Sequence, residues 1–198
     1  MVVDARDVQR EAILDATAEL LEREGAAGLN VKAIMAEAGV SRTAFYRRFD
    51  TAHDAVVALL ARLLDHMVDT NDDWLAGGVV GHPDIVEPNL VHTGAILAPY
   101  ATLICAIVDA AGTDQRLRDA WRNGVVQARI DVTEAAIRRD QAAGVLRASI
   151  DPAATAHALT LLNEALVLEI LGRQGGTPEE FARIAASIWI HVLFADGP

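Results

Sequence analysis

Between Asn30 and Phe49 the sequence permits two short helices and the tight corner that joins them. Asn30 can cap the first, because a side-chain oxygen at that position accepts an otherwise orphaned backbone N–H. Val31, Ile34 and Met35 then recur at helical spacing. Ala38-Gly39-Val40 makes the corner: glycine takes positive φ at no steric cost, and alanine lets two helices approach closely. Ser41 caps the second helix, on which Phe45 and Phe49 share one face and point inward. That leaves Arg42, Thr43, Tyr46 and Arg47 on the outer surface, with Arg48 next in line. A short helix presenting arginines, a hydroxyl and a tyrosine suits a DNA major groove. Backbone phosphates attract the arginines, and guanidinium forks can read guanine edges. Taken alone, the corner also fits a plain helical hairpin with a solvated basic face.

The residues before the corner narrow the choice. Ile13-Leu14, Thr17-Ala18 and Leu20-Leu21, then Gly25, then the hairpin and Phe45-Tyr46-x-x-Phe49 resemble the tetracycline-repressor family of bacterial transcription regulators over residues 8–60. The resemblance implies an N-terminal helix-turn-helix domain over 1–50 and a helical ligand-binding and dimerisation domain over 51–198. Ser41, Arg42, Phe45, Tyr46 and Phe49 match the family's recognition helix. By that likeness Arg42 reaches base edges or phosphate, Tyr46 hydrogen-bonds a phosphate, and Arg47 takes a backbone contact. There are two departures. The family threonine falls on Ala44, with Thr43 carrying a hydroxyl one place earlier. The usual lysine opening the fourth helix is replaced by Ala52, and the glutamate after it by His53, which weakens one phosphate contact.

Charge does not decide the matter. The chain of 198 residues carries a formal net charge of −11, which argues against DNA binding if smeared over the whole molecule. Contacts depend on where charges sit. Residues 1–50 hold 7 Lys+Arg against 9 Asp+Glu, a net of −2, so the remaining −9 falls in residues 51–198. Arg42, Arg47 and Arg48 stand together with no acid among them. The single Cys105, flanked by Leu103, Ile104, Ala106, Ile107 and Val108, excludes an internal disulfide framework and predicts an inert core thiol in a cytoplasmic protein. No apolar run reaches the length of a membrane span, and no signal core opens the sequence.

Taken in order, the apolar stripe from Asp7 to Glu24 predicts a first helix stopped by Gly25. Arg6 and Arg10 fit either a phosphate-touching arm or two solvated cations. Thr51-x-x-Asp54 resembles a capping box and opens a fourth helix running to Leu75. Residues 77–89, rich in glycine and proline, predict a loop. Five more helical segments follow: Leu90–Ala111, nearly apolar all round and disturbed at Pro99; Thr113–Trp121; Trp121 or Asn123–Ala143; Asp151–Leu171, opened by Asp151-Pro152; and Thr177 to Phe194 or Ala195. The fold class is therefore all-α with about nine helices.

Leu161-Leu162-Asn163-Glu164 and Ser187-Ile188-Trp189-Ile190 are similar to mycobacterial repressors of the ethionamide-activating monooxygenase. That likeness implies a mostly apolar ligand tunnel with Asn163 as its polar anchor and Thr93, Tyr100, Trp121, Leu162, Leu166 and Trp189 near the wall. Independently, Asn163 and Glu164 interrupt an apolar run, and polar groups buried there need partners. A core hydrogen bond for Asn163 and a surface or interface ion pair for Glu164 satisfy that need equally well. The last two helices are expected to form a two-fold four-helix interface, with Ala185, Ile188 and Val192 as its buried stripe or as subunit core.

Enzymatic chemistry finds little support. His53, His66, His82, His92, His157 and His191 show no metal-ligand spacing, and no cofactor or metal is expected. The sequence thus points to a homodimeric, ligand-responsive transcriptional repressor that binds a palindromic operator and is released by a small apolar effector. The alternative is a small-molecule-binding helical protein whose DNA binding is weak or lost.

Overall fold

A computed structural model describes residues 5–70 and 82–194, and every regular element among them is helical. Eight continuous helical stretches carry the fold: α1 (Ala5–Gly28), α2 (Val31–Ala38), α3 (Arg42–Tyr46), α4 (Ala52–Thr70), α5 (Pro83–Ala111), α6 (115–142), α7 (Pro152–Arg173) and α8 (Pro178–Phe194). The sequence expects a break between 113–121 and the following helix. Instead a π-helical turn, Arg122–Val126, carries α6 straight through. A second π turn, Val167–Arg173, ends α7. Helical periodicity does not reveal an extra residue inserted into a continuing helix.

The caps form where the side chains predict them. Asn30 Oδ1 accepts the Ala33 N–H at 2.9 Å, and Ser41 Oγ accepts that of Ala44 at 3.2 Å. Thr51 and Asp54 form a reciprocal box: the Thr51 N–H donates to Asp54 Oδ2 at 2.8 Å and the Asp54 N–H to Thr51 Oγ1 at 3.1 Å. Asp151 caps α7 through the N–H groups of Ala153 and Ala154. At Gly25 the backbone turns to φ 66°, the expected stop, and one further helical turn follows to Gly28. One boundary is corrected: α5 begins at Pro83 rather than Leu90. Proline at the first helical position lacks only an N–H that would be orphaned there, and His82 caps the turn. At Pro99 the expected disturbance is a 3₁₀ turn, Ala98–Tyr100. Leu75 and residues 77–81 lie outside the described residues.

The chain divides into two compact units. The first joins Met1–His66 with Leu103–Trp121, and the second joins Met67–Thr102 with Arg122–Pro198. In the first, Ile13, Leu14, Leu20, Leu21, Ile34, Phe45, Leu59, Ile107 and Leu117 are at most 2% exposed. Arg62 of α4 ties back to α1 through Glu11 at 3.0 Å and Asp15 at 2.7 Å. In the second, Pro83–Leu97 packs on α8 and Gln127–Ala142 packs on Pro152–Leu166. Gly94 is required by that packing: a Cβ there would come within 3.1 Å of Pro178 and Phe181.

Two helices, Pro83–Ala111 and Pro152–Arg173, are long and apolar enough by composition to cross a membrane. This corrects the expectation that no stretch has that length. Their apolar faces supply core residues such as Val86, Leu90, Ile107, Ala156 and Leu159. Near the C-terminal end of α6 the acidic Asp140 is only 6% exposed.

Candidate nucleic-acid interface

α3 is only five residues long, so its orientation depends on its caps and on Phe45 rather than on helix propensity. Gly39 sits at φ 64°, the left-handed corner that reverses the chain after α2, and the Val40 N–H closes it on the Met35 carbonyl at 3.1 Å. Phe45 is 0% and Phe49 7% exposed. Phe45 meets Tyr46 edge-on with ring centres 5.5 Å apart, and the tilted Phe49 ring is centred 5.9 Å from that of Phe45. The aromatic cluster thus fixes which face of α3 turns outward.

Arg42, Thr43, Tyr46 and Arg47 are all exposed and together line an open concavity of about 470 Å³. The Arg42 guanidinium lies over the Tyr46 ring, 5.4 Å from its centre. A guanidinium held over an aromatic face keeps its N–H donors available and has fewer rotamers to give up on binding. Ser41 is exposed, with its hydroxyl committed to the cap. Arg48 behaves differently from Arg42 and Arg47: it is half-buried and donates to the Ala44 carbonyl at 2.8 Å. Ala52, in the slot of the expected lysine, is 8% exposed. That position faces core, where an ammonium group would lose its hydration.

The residues expected around a ligand divide between the units. Trp121 belongs to the first, and Thr93, Tyr100, Leu162, Asn163, Leu166 and Trp189 belong to the second. Asn163 Oδ1 accepts from Trp189 Nε1 at 3.1 Å, so the pair meets as a hydrogen bond within the subunit. Thr93 is buried and returns its hydroxyl to the Asn89 carbonyl at 3.0 Å. Leu162 and Leu166 are half-buried on α7. Of the expected interface stripe, Ala185 is 0% exposed within its own subunit, whereas Ile188 is 39% exposed. Leu161, at 43%, is a further open apolar side chain on α7.

Sequence inspection passes over Thr160. It is 5% exposed, and its hydroxyl has no hydrogen-bond partner among the described residues. Thr17 and Thr93 instead donate to the carbonyl four residues back, at 2.7 and 3.0 Å. An unmade bond of this kind costs about 1–3 kcal/mol. Thr160→Val, which replaces the hydroxyl by a methyl of the same shape, should therefore leave folding stability unchanged or raise it by about 1 kcal/mol. A urea midpoint that falls clearly would show that the hydroxyl is satisfied in solution. Arg129 of α6 is the other feature invisible in the pattern: burial pushes its guanidinium pKa down to about 10, which leaves it charged at neutral pH.

Residues 13–52 match the family described as bacterial regulatory proteins, tetR family. Over 96% of its length the chain is 25% identical to the HTH-type transcriptional regulator EthR of Mycolicibacterium smegmatis, of which it covers 88%. Among solved structures, a TetR-family transcriptional regulator from Syntrophomonas wolfei superposes with a TM-score of 0.73 at 16% identity, covering 92% of this chain and 93% of that one. SmeT of Stenotrophomonas maltophilia in complex with triclosan superposes with a TM-score of 0.72 at 21% identity, covering 96% and 93%. At such identities the structural likeness concerns the fold.

Proposed function

From its membership of the tetR family of transcription regulators, we propose that this chain is a cytoplasmic homodimeric repressor that binds a palindromic operator through α3 and is released by a small, mostly apolar ligand. One observation carries the reading. On a doubly capped helix, Arg42, Thr43, Tyr46 and Arg47 converge on an exposed concave surface, and Phe45 holds them there from behind. Two copies of such a helix related by a two-fold axis read two half-sites about one helical turn apart. The exposed Leu161 and Ile188 on α7 and α8 are suited to the contact between copies. Residues 1–50 then act as the reading domain and 51–198 as the ligand and dimer domain.

Ligand release follows from linkage. An effector that prefers the conformation in which the two recognition helices no longer match successive grooves must lower operator affinity by its own preference factor. The ligand site is placed in the second unit around Thr93, Tyr100, Leu162, Asn163, Leu166 and Trp189. Support comes from the apolar character of that unit and from the triclosan held by SmeT. Because Asn163 Oδ1 already accepts from Trp189, its amide N–H groups are the donors it offers a ligand.

The test is a fluorescence-anisotropy titration against the intergenic DNA beside its own gene, with scrambled DNA as control, across a salt series. Salt-sensitive binding that prefers the intergenic sequence is the expected result. Equal weak binding to both DNAs, together with tight binding of an apolar ligand, would favour a ligand-binding protein with lost DNA function. The net charge of −11 is the observation on that side.

A further inference from the structure

The cations of the first unit sort into two groups. Arg10 pairs with Glu11 at 2.9 Å, Arg62 with Glu11 and Asp15, and Arg116 with Asp54 at 3.6 Å. Arg23 holds Glu24 at 3.1 Å and Glu37 at 2.7 Å. Arg48 and Arg118 donate to the carbonyls of Ala44 and Gly112. Among the described side chains of that unit, three cations remain without an acid or carbonyl partner: Lys32, Arg42 and Arg47. Two of them, Arg42 on α3 and Arg47 directly after it, line the concave surface. The third is the only lysine in all 198 residues.

Lys32 occupies the first turn of α2, exposed, on a helix of eight residues whose start is capped by Asn30. Its neighbours one turn on are Met35 and Ala36, and one turn back Gly28 and Leu29, so its own helix supplies no acid within reach. The nearest acid in sequence on α2, Glu37, is committed to Arg23, whose guanidinium holds that carboxyl below the usual range. In a helix-turn-helix the first helix crosses the DNA backbone while the second enters the groove. The slot where a lysine was expected, Ala52, faces core.

We propose that Lys32 is the backbone-phosphate anchor of this interface, supplying from α2 the contact that Ala52 cannot make. The inference rests on the DNA-binding reading of α3. A phosphate contact carries no sequence information, so its loss acts alike on all DNA. The mobile ammonium is a point charge and needs no planar partner.

Anisotropy titrations of Lys32→Gln and Lys32→Arg beside the wild type, on operator and scrambled DNA, decide the matter. Each phosphate neutralised contributes about 0.9 to the slope of log K on log salt. Lys32→Gln should lower that slope by about 0.9 per Lys32 in the complex and weaken both DNAs by roughly five-fold per site at about 0.15 M salt. Lys32→Arg should restore both. As the only lysine, Lys32 also gives a second readout: saturating DNA should slow its acylation by an amine-selective reagent, read by mass spectrometry. Unchanged slope and unchanged acylation, in a protein whose operator binding is lost in Arg42→Ala, overturn the Lys32 assignment alone. A wild type that binds neither DNA overturns the assignment and the DNA-binding reading together.

Discussion

Arg42→Ala should abolish operator discrimination while leaving the fold intact. The side chain is exposed and lies over the Tyr46 ring, so its removal costs the folded chain little. A guanidinium fork read against a guanine edge is worth about 1–3 kcal/mol of discrimination, or roughly ten- to a hundred-fold for each half-site. With two half-sites in one complex, specific affinity should fall by about two to four orders of magnitude, while binding to scrambled DNA falls much less. Anisotropy measures this, and an unchanged far-ultraviolet spectrum controls for folding. Tyr46→Phe separates the two roles of its neighbour: it keeps the ring under Arg42 and removes only the hydroxyl. If Tyr46 bonds a phosphate, Tyr46→Phe weakens all DNA modestly. If Arg42→Ala and Tyr46→Ala both bind like the wild type, α3 is not the reading element.

Phe45→Ala should destroy the same activity by another route. Phe45 is 0% exposed, and its ring packs with those of both Tyr46 and Phe49. Truncating a buried phenylalanine to alanine costs about 3–5 kcal/mol through lost transfer energy and the cavity left behind. That is a large share of a typical stability of about 5–15 kcal/mol. A five-residue helix has little intrinsic tendency to persist once its anchor is gone. The urea midpoint should drop steeply, and DNA binding should be lost on both operator and scrambled sequences. Phe45→Leu, which restores most of the volume, should recover much of both. A midpoint that does not move in Phe45→Ala would mean that α3 unfolds independently of the rest of its unit.

The two variants together distinguish contact from scaffold. Arg42→Ala removes a contact from a standing helix, whereas Phe45→Ala removes the helix from under its contacts. Only the first should spare scrambled-DNA binding and the salt slope apart from one phosphate's share.

Local chemistry made the N-terminal half legible. Asn30, Gly39, Ser41 and the Thr51–Asp54 box each act within four residues of themselves, so composition and spacing predict them, and the structure bears them out. Phe45 and Phe49 are both buried as their four-residue spacing predicts, although α3 ends at Tyr46 and Phe49 follows it, its N–H donating to the Phe45 carbonyl at 3.0 Å. Other features depend on elements distant in the chain. That the Asn163 oxygen accepts from Trp189, on another helix, is decided by packing between elements distant in the chain. Ala185 could have served an interface or a core, and the packing of its own subunit buried it. The π turn within α6 and the early start of α5 at Pro83 are backbone solutions to packing that leave no periodic trace. Lys32 shows the difference most simply. The sequence shows it to be the only lysine, but an unneutralised cation can be recognised only after Arg10, Arg23, Arg62 and Arg116 have been matched with their acids in space.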